Sequence, residues 1–268
     1  MSHNVMRAMV LTMHWLLWGG WGVVWAGGNA LEESRLLEGL HLDGGAKTLT
    51  LTAPAGPFQA ILDEAATQRM KGVAILLPEA GARADAGVLR ALRRGLPPHG
   101  WSTLSLQLPV LEAEAEPQEY WDLLPQAAAR IAAAVARMKA AGIGNIALLG
   151  HGFGATAALR YLGQGGDDSV HAAVLLGPWW PADHADTLET WSKAAAVAVL
   201  DVYGERDDRT VLHSASRRRL LFKELDDFRQ WRVSATGHDY RGRETWLVER
   251  IYGWLQRVAP GEEVSDDD

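Results

Sequence analysis

Apolar and polar residues fall into three rhythms along this chain. The first is one uncharged apolar run, Met9 to Trp25, preceded by Arg7. A short basic end followed by a hydrophobic core is the layout of a secretory signal, and Val24-Trp25-Ala26 offers compact residues for cleavage after Ala26. An uncleaved anchor is the alternative, because a membrane-spanning helix needs roughly 17 to 25 residues. Gly19, Gly20, Gly22 and His14 weaken the run as a permanent span. The second rhythm is alternation. Thr48, Thr50 and Thr52 interleave with Leu49 and Leu51, and a glycine and proline cluster at Ala53 to Pro57 separates them from Phe58 to Leu62. Such a pattern predicts two strands in an antiparallel hairpin.

In the third rhythm, short apolar runs alternate with segments of helical period. The predicted strands are Val73 to Leu77, Thr103 to Leu108, Asn145 to Leu149, Ala172 to Leu176, Val197 to Val202 and Gln230 to Val233. The predicted helices are Asp85 to Leu96, Pro125 to Ala141, Phe153 to Leu162, Ala185 to Lys193, Thr210 to Leu225 and Glu244 to Val258. Fully apolar strands suit the interior of a parallel sheet, and strict alternation with helices requires crossover connections. The expected architecture is therefore α/β, a mostly parallel doubly wound sheet with an N-terminal antiparallel hairpin. It occupies one domain over residues 46–258, flanked by a signal segment 1–26, a glycine-rich linker arm 27–45 with at most a short helix, and a disordered acidic tail 259–268.

Two inserts break the rhythm where loops leave the carboxyl edge of the sheet, the edge at which open α/β folds bind ligands. The first, Leu111 to Asp122, carries Glu112, Glu114, Glu116 and Glu119 beside Tyr120 and Trp121, and its glutamates are expected to be solvated. The second runs from Gly177 to His184. Two consecutive aromatics in it, Trp179 and Trp180, cannot both face one core, so one of them is a candidate pocket wall.

Composition removes several function classes. A length of 268 residues with 48% hydrophobic content suits one large core. The formal charge of -7, with no basic run interleaved with aromatics, argues against nucleic acid as a partner. The absence of cysteine excludes a disulfide framework, a thiolate metal site and a cysteine nucleophile. No cofactor is expected.

The chemistry-bearing stretch is Gly150-His151-Gly152-Phe153-Gly154, which follows a predicted strand and opens a predicted helix. That context and spacing match the G-x-S-x-G nucleophile elbow of the α/β-hydrolase fold, except that glycine stands at the serine position. Gly204-Glu205-Arg206-Asp207 follows a later strand and Thr236-Gly237-His238-Asp239 the last one, in the chain order nucleophile, acid, base. Either residue alone would be a turn acid or a loop histidine, but together Asp207 and His238 are expected to form the acid and histidine of a triad, vestigial or water-activating. His151 is expected to sit beneath the turn without chemistry. Glu79, in the loop that normally lends an oxyanion-hole amide, would repel a developing oxyanion if it pointed inward, and is expected to face solvent. A metal centre gathering His151, His238, Asp207 and Glu79 is not expected, because spacing across separate strands sets no matched distances.

The run Gly72 to Pro78, Leu92-Arg93-Arg94, Gly100 to Leu106, Gly150-His151-Gly152 and Ile251-Tyr252-Gly253-Trp254-Leu255 resemble an uncharacterised bacterial family, domain of unknown function 3530. The resemblance covers about residues 40–258. It implies an α/β-hydrolase-like fold, a glycine in the elbow and export in Gram-negative bacteria, hence a periplasmic location, and it implies no activity. The leading expectation is a pseudohydrolase that binds a small-molecule ligand or an envelope protein at the former active-site mouth. One alternative is a noncovalent hydrolase in which His238, oriented by Asp207, activates a water in the space the serine left. Another is an envelope scaffold that uses the Trp179-Trp180 loop and the acidic insert as its contact surface. Membrane association is expected only through an uncleaved N-terminal segment.

Overall fold

The computed structural model describes residues 27–38, 42 and 44–261. The expected signal segment and the tail beyond residue 261 lie outside them. Eight strands form one sheet: β1 (Lys47–Ala53), β2 (Gly56–Asp63), β3 (Gly72–Leu77), β4 (Trp101–Leu106), β5 (Ile146–His151), β6 (Val170–Leu176), β7 (Ala198–Gly204) and β8 (Arg229–Val233). Their spatial order is β1-β2-β4-β3-β5-β6-β7-β8. The hairpin partners β1 and β2 run antiparallel, β2 also meets β4 antiparallel, and every other pair is parallel. The mostly parallel sheet with an N-terminal hairpin is thus the observed fold.

Among the described residues, seven α-helices flank the sheet: α1 (Ala30–Leu37), α2 (Gly87–Gly95), α3 (Leu124–Ala140), α4 (Phe153–Gly163), α5 (Ala185–Ala194), α6 (Arg209–Phe222) and α7 (Glu244–Val258). None of the described helices is long and apolar enough to cross a membrane. Because side chains alternate along a strand, each central strand feeds two cores. Val73, Ile75 and Leu77 of β3 and Ile146 and Leu148 of β5 pack on the side of α3, α4 and α5. Ala74, Leu76, Ala147 and Leu149 pack on the opposite side with α2 and α7. This double burial is why these strands are continuous apolar runs.

Three segments add to or differ from the sequence expectation. The linker arm is tied to the body: Asn29 caps α1, the Gly28 amide donates to Gln126, and Arg130 holds the Glu33 carboxylate with two hydrogen bonds of 2.9 and 3.0 Å. Ala259, at the start of the expected tail, is buried, and its carbonyl accepts from the Asn145 side chain. The strand expected at Thr103 to Leu108 instead spans Trp101–Leu106. Gln107, Leu108 and Val110 continue the buried run after it leaves the ladder, so burial alone overstated the strand.

One buried ion pair joins the two elements that flank the loop carrying Asp207. Arg218 of α6 donates to Asp201 of β7 at 2.9 Å with both side chains fully enclosed, and Gln230 of β8 donates to the same carboxylate oxygen at 2.8 Å. Removing one charge would leave the other buried and uncompensated. An Asp201→Asn variant is therefore expected to lose about 3 to 5 kcal/mol of unfolding free energy in a denaturant titration. A loss below about 1 kcal/mol would show that this pair does not anchor α6.

Candidate functional site

At the carboxyl edge of the sheet, β5 turns into α4 through Gly152, whose φ is 49° and ψ is -109°. This conformation is strained for a residue with a Cβ and open to glycine. The elbow keeps its sharp turn although no hydroxyl is carried there. Its flanking glycines permit close packing: a Cβ on Gly150 would strike the Ala155 backbone, and one on Gly154 would strike the Leu77 and Pro78 backbone. The turn is held by Gly152 N–H donating to the Leu176 carbonyl at 2.9 Å and by Trp179 N–H donating to the Gly152 carbonyl at 3.2 Å.

The two loops expected to deliver acid and base do meet. His238 Nδ1 lies 2.6 Å from Asp207 Oδ1, and the Asp207 carboxylate also accepts from the Gly204 amide at 2.7 Å and the Asp208 amide at 2.8 Å. His151, beneath the turn, is buried and holds the His238 carbonyl through Nε2 at 3.0 Å. Its imidazole stacks on that of His238 with ring centroids 4.5 Å apart.

Glu79 contradicts the solvent-facing expectation. It leaves the end of β3 and turns inward over Gly152. Its Oε1 accepts from the Phe153 amide at 2.9 Å and from the Ala80 amide at 2.6 Å, and its Oε2 lies 2.8 Å from His238 Nε2. Phe153 N–H, from the residue after the elbow position, and Ala80 N–H, from the loop after β3, are the two amides that make an oxyanion hole in this fold. A Cβ built on Gly152 would collide with Glu79 Oε2 at about the length of a covalent bond, so that oxygen sits where a serine side chain would project. The repulsion expected for an inward carboxylate is replaced by attraction, since the amides and the imidazole all donate to it. The sequence signal lay in two residues taken together: a glycine leaves a side-chain-sized space, and an acid one loop away has the reach to fill it.

Electrostatics follow from this geometry. Burial alone would raise the Glu79 pKa, but the His238 hydrogen bond, the charges of His151 and His238 and the Phe153 amide outweigh it and hold Glu79 below the usual carboxylate range. Asp207 is likewise lowered against its burial, chiefly by the His238 hydrogen bond and the Gly204 amide. Burial would lower His238, yet the hydrogen bonds and charges of Asp207 and Glu79 raise it to about 10. His151 is lowered, first by burial. The centre is a doubly donating imidazolium between two carboxylates.

Glu79, His151 and His238 offer three ligand atoms within 4.8 Å of one another. They do not make a metal centre as they stand. The rings are stacked at an interplanar angle of 29°, so their in-plane lone pairs run side by side, whereas a metal at about 2 Å would need them to converge.

The two inserts meet beside this centre. Trp180 is buried in the core, whereas Trp179 is partly buried and packs edge-on against Trp121 of the acidic insert, with centroids 6.0 Å apart. Trp121 stacks on His184 and on Trp191, and Tyr120 packs edge-on against Phe153 of the elbow. The four insert glutamates are exposed as expected. A cavity of about 610 Å³ lies away from the elbow, lined by Asp167, Asp168, Glu224, Asp226 and Asp227 among others. The reactive groups open to solvent directly, with 29% of the Glu79 and 22% of the His238 side chain exposed.

A raised histidine pKa is linked to stability. Its contribution is full below the unfolded value near 6.5 and is lost as pH rises through about 10. The thermal stability of the wild-type chain should therefore fall over that alkaline window. In Glu79→Gln the decline should set in at lower pH, because one of the two carboxylates holding the proton is gone. Superimposable pH profiles would contradict the coupling.

Comparison with proteins of known structure returns the same architecture. A dienelactone hydrolase from Anabaena variabilis is 14% identical with a TM-score of 0.65, over 80% of this chain and 98% of that one. The esterase domain of a Rhodothermus marinus protein is 15% identical with a TM-score of 0.61, over 81% and 100%. A serine hydrolase without lid from Xanthomonas campestris is 18% identical with a TM-score of 0.61, over 84% and 100%. At these identities the likeness establishes the α/β-hydrolase fold. No curated protein matches the sequence. The family model for a protein of unknown function, DUF3530, matches residues 31–128 and 122–257, and the chain belongs to that family.

Proposed function

We propose that this chain is an exported, periplasmic pseudohydrolase. It does not perform serine-type ester hydrolysis, and it binds a ligand or envelope partner at the mouth formed by Glu79, His238 and Asp207. The observation that carries this reading is the Glu79 carboxylate. It fills both the oxyanion hole and the space of the missing serine side chain, and it engages the histidine that would have to act as base. An acyl substrate would find neither a hydroxyl nucleophile nor a free pair of amides. Loss of the nucleophile alone costs serine hydrolases about six orders of magnitude in turnover. Export rests on Arg7 and the apolar run Met9 to Trp25.

The water-activating alternative loses its premise. The space it assigns to water holds a carboxylate, and His238 has no lone pair free at neutral pH. The scaffold alternative loses half of its aromatic surface to the core, since Trp180 is 4% exposed.

The purified chain should hydrolyse p-nitrophenyl acetate at the buffer rate. Gly152→Ser alone should gain nothing, because its Cβ meets Glu79. The pair Gly152→Ser with Glu79→Gly should raise turnover by about a hundredfold, since it frees the amides and leaves His238 on Asp207. Wild-type turnover that disappears in His238→Gln would overturn the reading. A double variant at background would show that the amides and the histidine pair are not the intact remainder of a triad.

A further inference from the structure

β8 ends the sheet and, among the described residues, pairs with β7 alone. The Val233 carbonyl accepts from the Glu205 amide at 2.8 Å, which turns the backbone groups of Val233, and by alternation those of Trp231 and Arg229, toward β7. The amides and carbonyls of Gln230 and Arg232 therefore point away from the sheet, as a template for another extended chain. This edge runs along a groove whose far wall is the first half of α7. Trp246, 39% exposed, stands in its middle and divides it into hollows of about 320 and 210 Å³. Trp231 meets Trp246 edge-on with centroids 6.2 Å apart. The Arg250 guanidinium lies 5.5 Å from the centre of the Trp246 ring, and Arg243 donates to the Ser234 carbonyl at 3.2 Å.

Arg232, Arg243 and Arg250 line the two hollows and no carboxylate does, although the chain carries a formal charge of -7. Glu205 pairs with Arg232 at 3.0 Å, whereas among the described residues neither Arg243 nor Arg250 has a carboxylate partner. We propose that this groove docks an extended acidic peptide of another protein, which adds to β8 as a further strand. None of these residues belongs to the mouth at Glu79, His238 and Asp207.

The spacing of the arginines sets the pattern of the peptide. Arg243 sits at Ser234 and Arg250 beside Gln230, four strand positions or about 13 Å apart. Side chains alternate across a strand, so two acids four residues apart and an apolar residue midway all turn toward α7. The acids then meet the two arginines and the apolar side chain meets Trp246. Main-chain hydrogen bonds to Gln230 and Arg232 supply affinity, and this side-chain pattern supplies specificity. A second copy fits badly, because pairing β8 with β8 would set the arginines of the two chains against each other. A lipid surface would leave the outward amides and carbonyls without partners. Arginines that only guarded the edge against pairing would need no exposed tryptophan between them.

The purified chain should be titrated with the fluorescein-labelled peptide Thr-Glu-Thr-Val-Thr-Glu-Thr and followed by fluorescence anisotropy. A dissociation constant below about 0.1 mM is expected, rising with salt. Arg243→Gln, Arg250→Gln and Trp246→Ala, each with a circular dichroism spectrum matching the wild type, should weaken binding at least about tenfold. Of two peptides N-methylated at alternate residues, one should lose binding and the other keep it, since only one set of amides faces β8. In hydrogen exchange followed by NMR, the amides of Gln230 and Arg232 should gain protection when the peptide is added. No binding, equal affinity for a peptide with lysine in place of both glutamates, or unchanged affinity in the two arginine variants would overturn the proposal. So would arginine-dependent adsorption to phosphatidylglycerol vesicles without peptide binding, which would assign the edge to a lipid surface. Protection of both amides before any peptide is added would also overturn it. Lost on dilution, that protection assigns the edge to a second copy; lost on truncation after Gly261, it assigns the edge to the chain's own acidic end.

Discussion

A single carboxylate organises the reactive edge of this protein. Glu79 takes hydrogen bonds from the Phe153 and Ala80 amides on one oxygen and from His238 on the other. It fits only because residue 152 has no side chain. Two backbone amides aimed at one point, with a positive imidazole beside them, form an anion site that ordinarily waits for charge to develop in a reaction. Here a permanent anion from the same chain occupies it. The His238 charge, the depressed carboxylates and the blocked path to an acyl substrate all follow from that contact.

The scaffold beneath is independent of this substitution. β5, the turn at Gly152 and α4 are held by the leucine and alanine contacts of two cores and by the close approach that Gly150 and Gly154 permit. Asp207 is positioned by the amides of its own loop and by α6, which Arg218 ties to Asp201. The hydrolase architecture can therefore persist while the group at its reactive point changes, which is why a shared fold with esterases says nothing about this chain's substrate.

Much of the fold was legible in the sequence because central parallel strands are buried on both faces, as in Val73 to Leu77, and amphipathic helices such as Glu244–Val258 have a clear period. The pairing of Asp207 with His238 was legible because each follows a strand, and adjacent strand ends converge in such a sheet. Glu79 was misjudged because a charged residue in a loop is ordinarily solvated, and only the tertiary approach of β3 to the elbow supplies the donors that repay its burial. The arm carries the short helix the sequence allowed, but its anchor was not legible, because the partner of Glu33 is Arg130, on a helix distant in sequence. Trp179 and Trp180 both join the core on the α3, α4 and α5 side, Trp180 buried and Trp179 partly buried against it, because Trp121 from the other insert packs on Trp179.

The central claim is that Glu79 is seated in the oxyanion hole and keeps His238 an imidazolium. Nitrogen NMR of histidine-labelled protein at about pH 8, between the ordinary histidine value and the raised one, tests it most directly. Both His238 nitrogens should carry protons in the wild-type chain, and Nε2 should lose its proton in Glu79→Gln. A neutral His238 ring in the wild type at that pH would contradict the account.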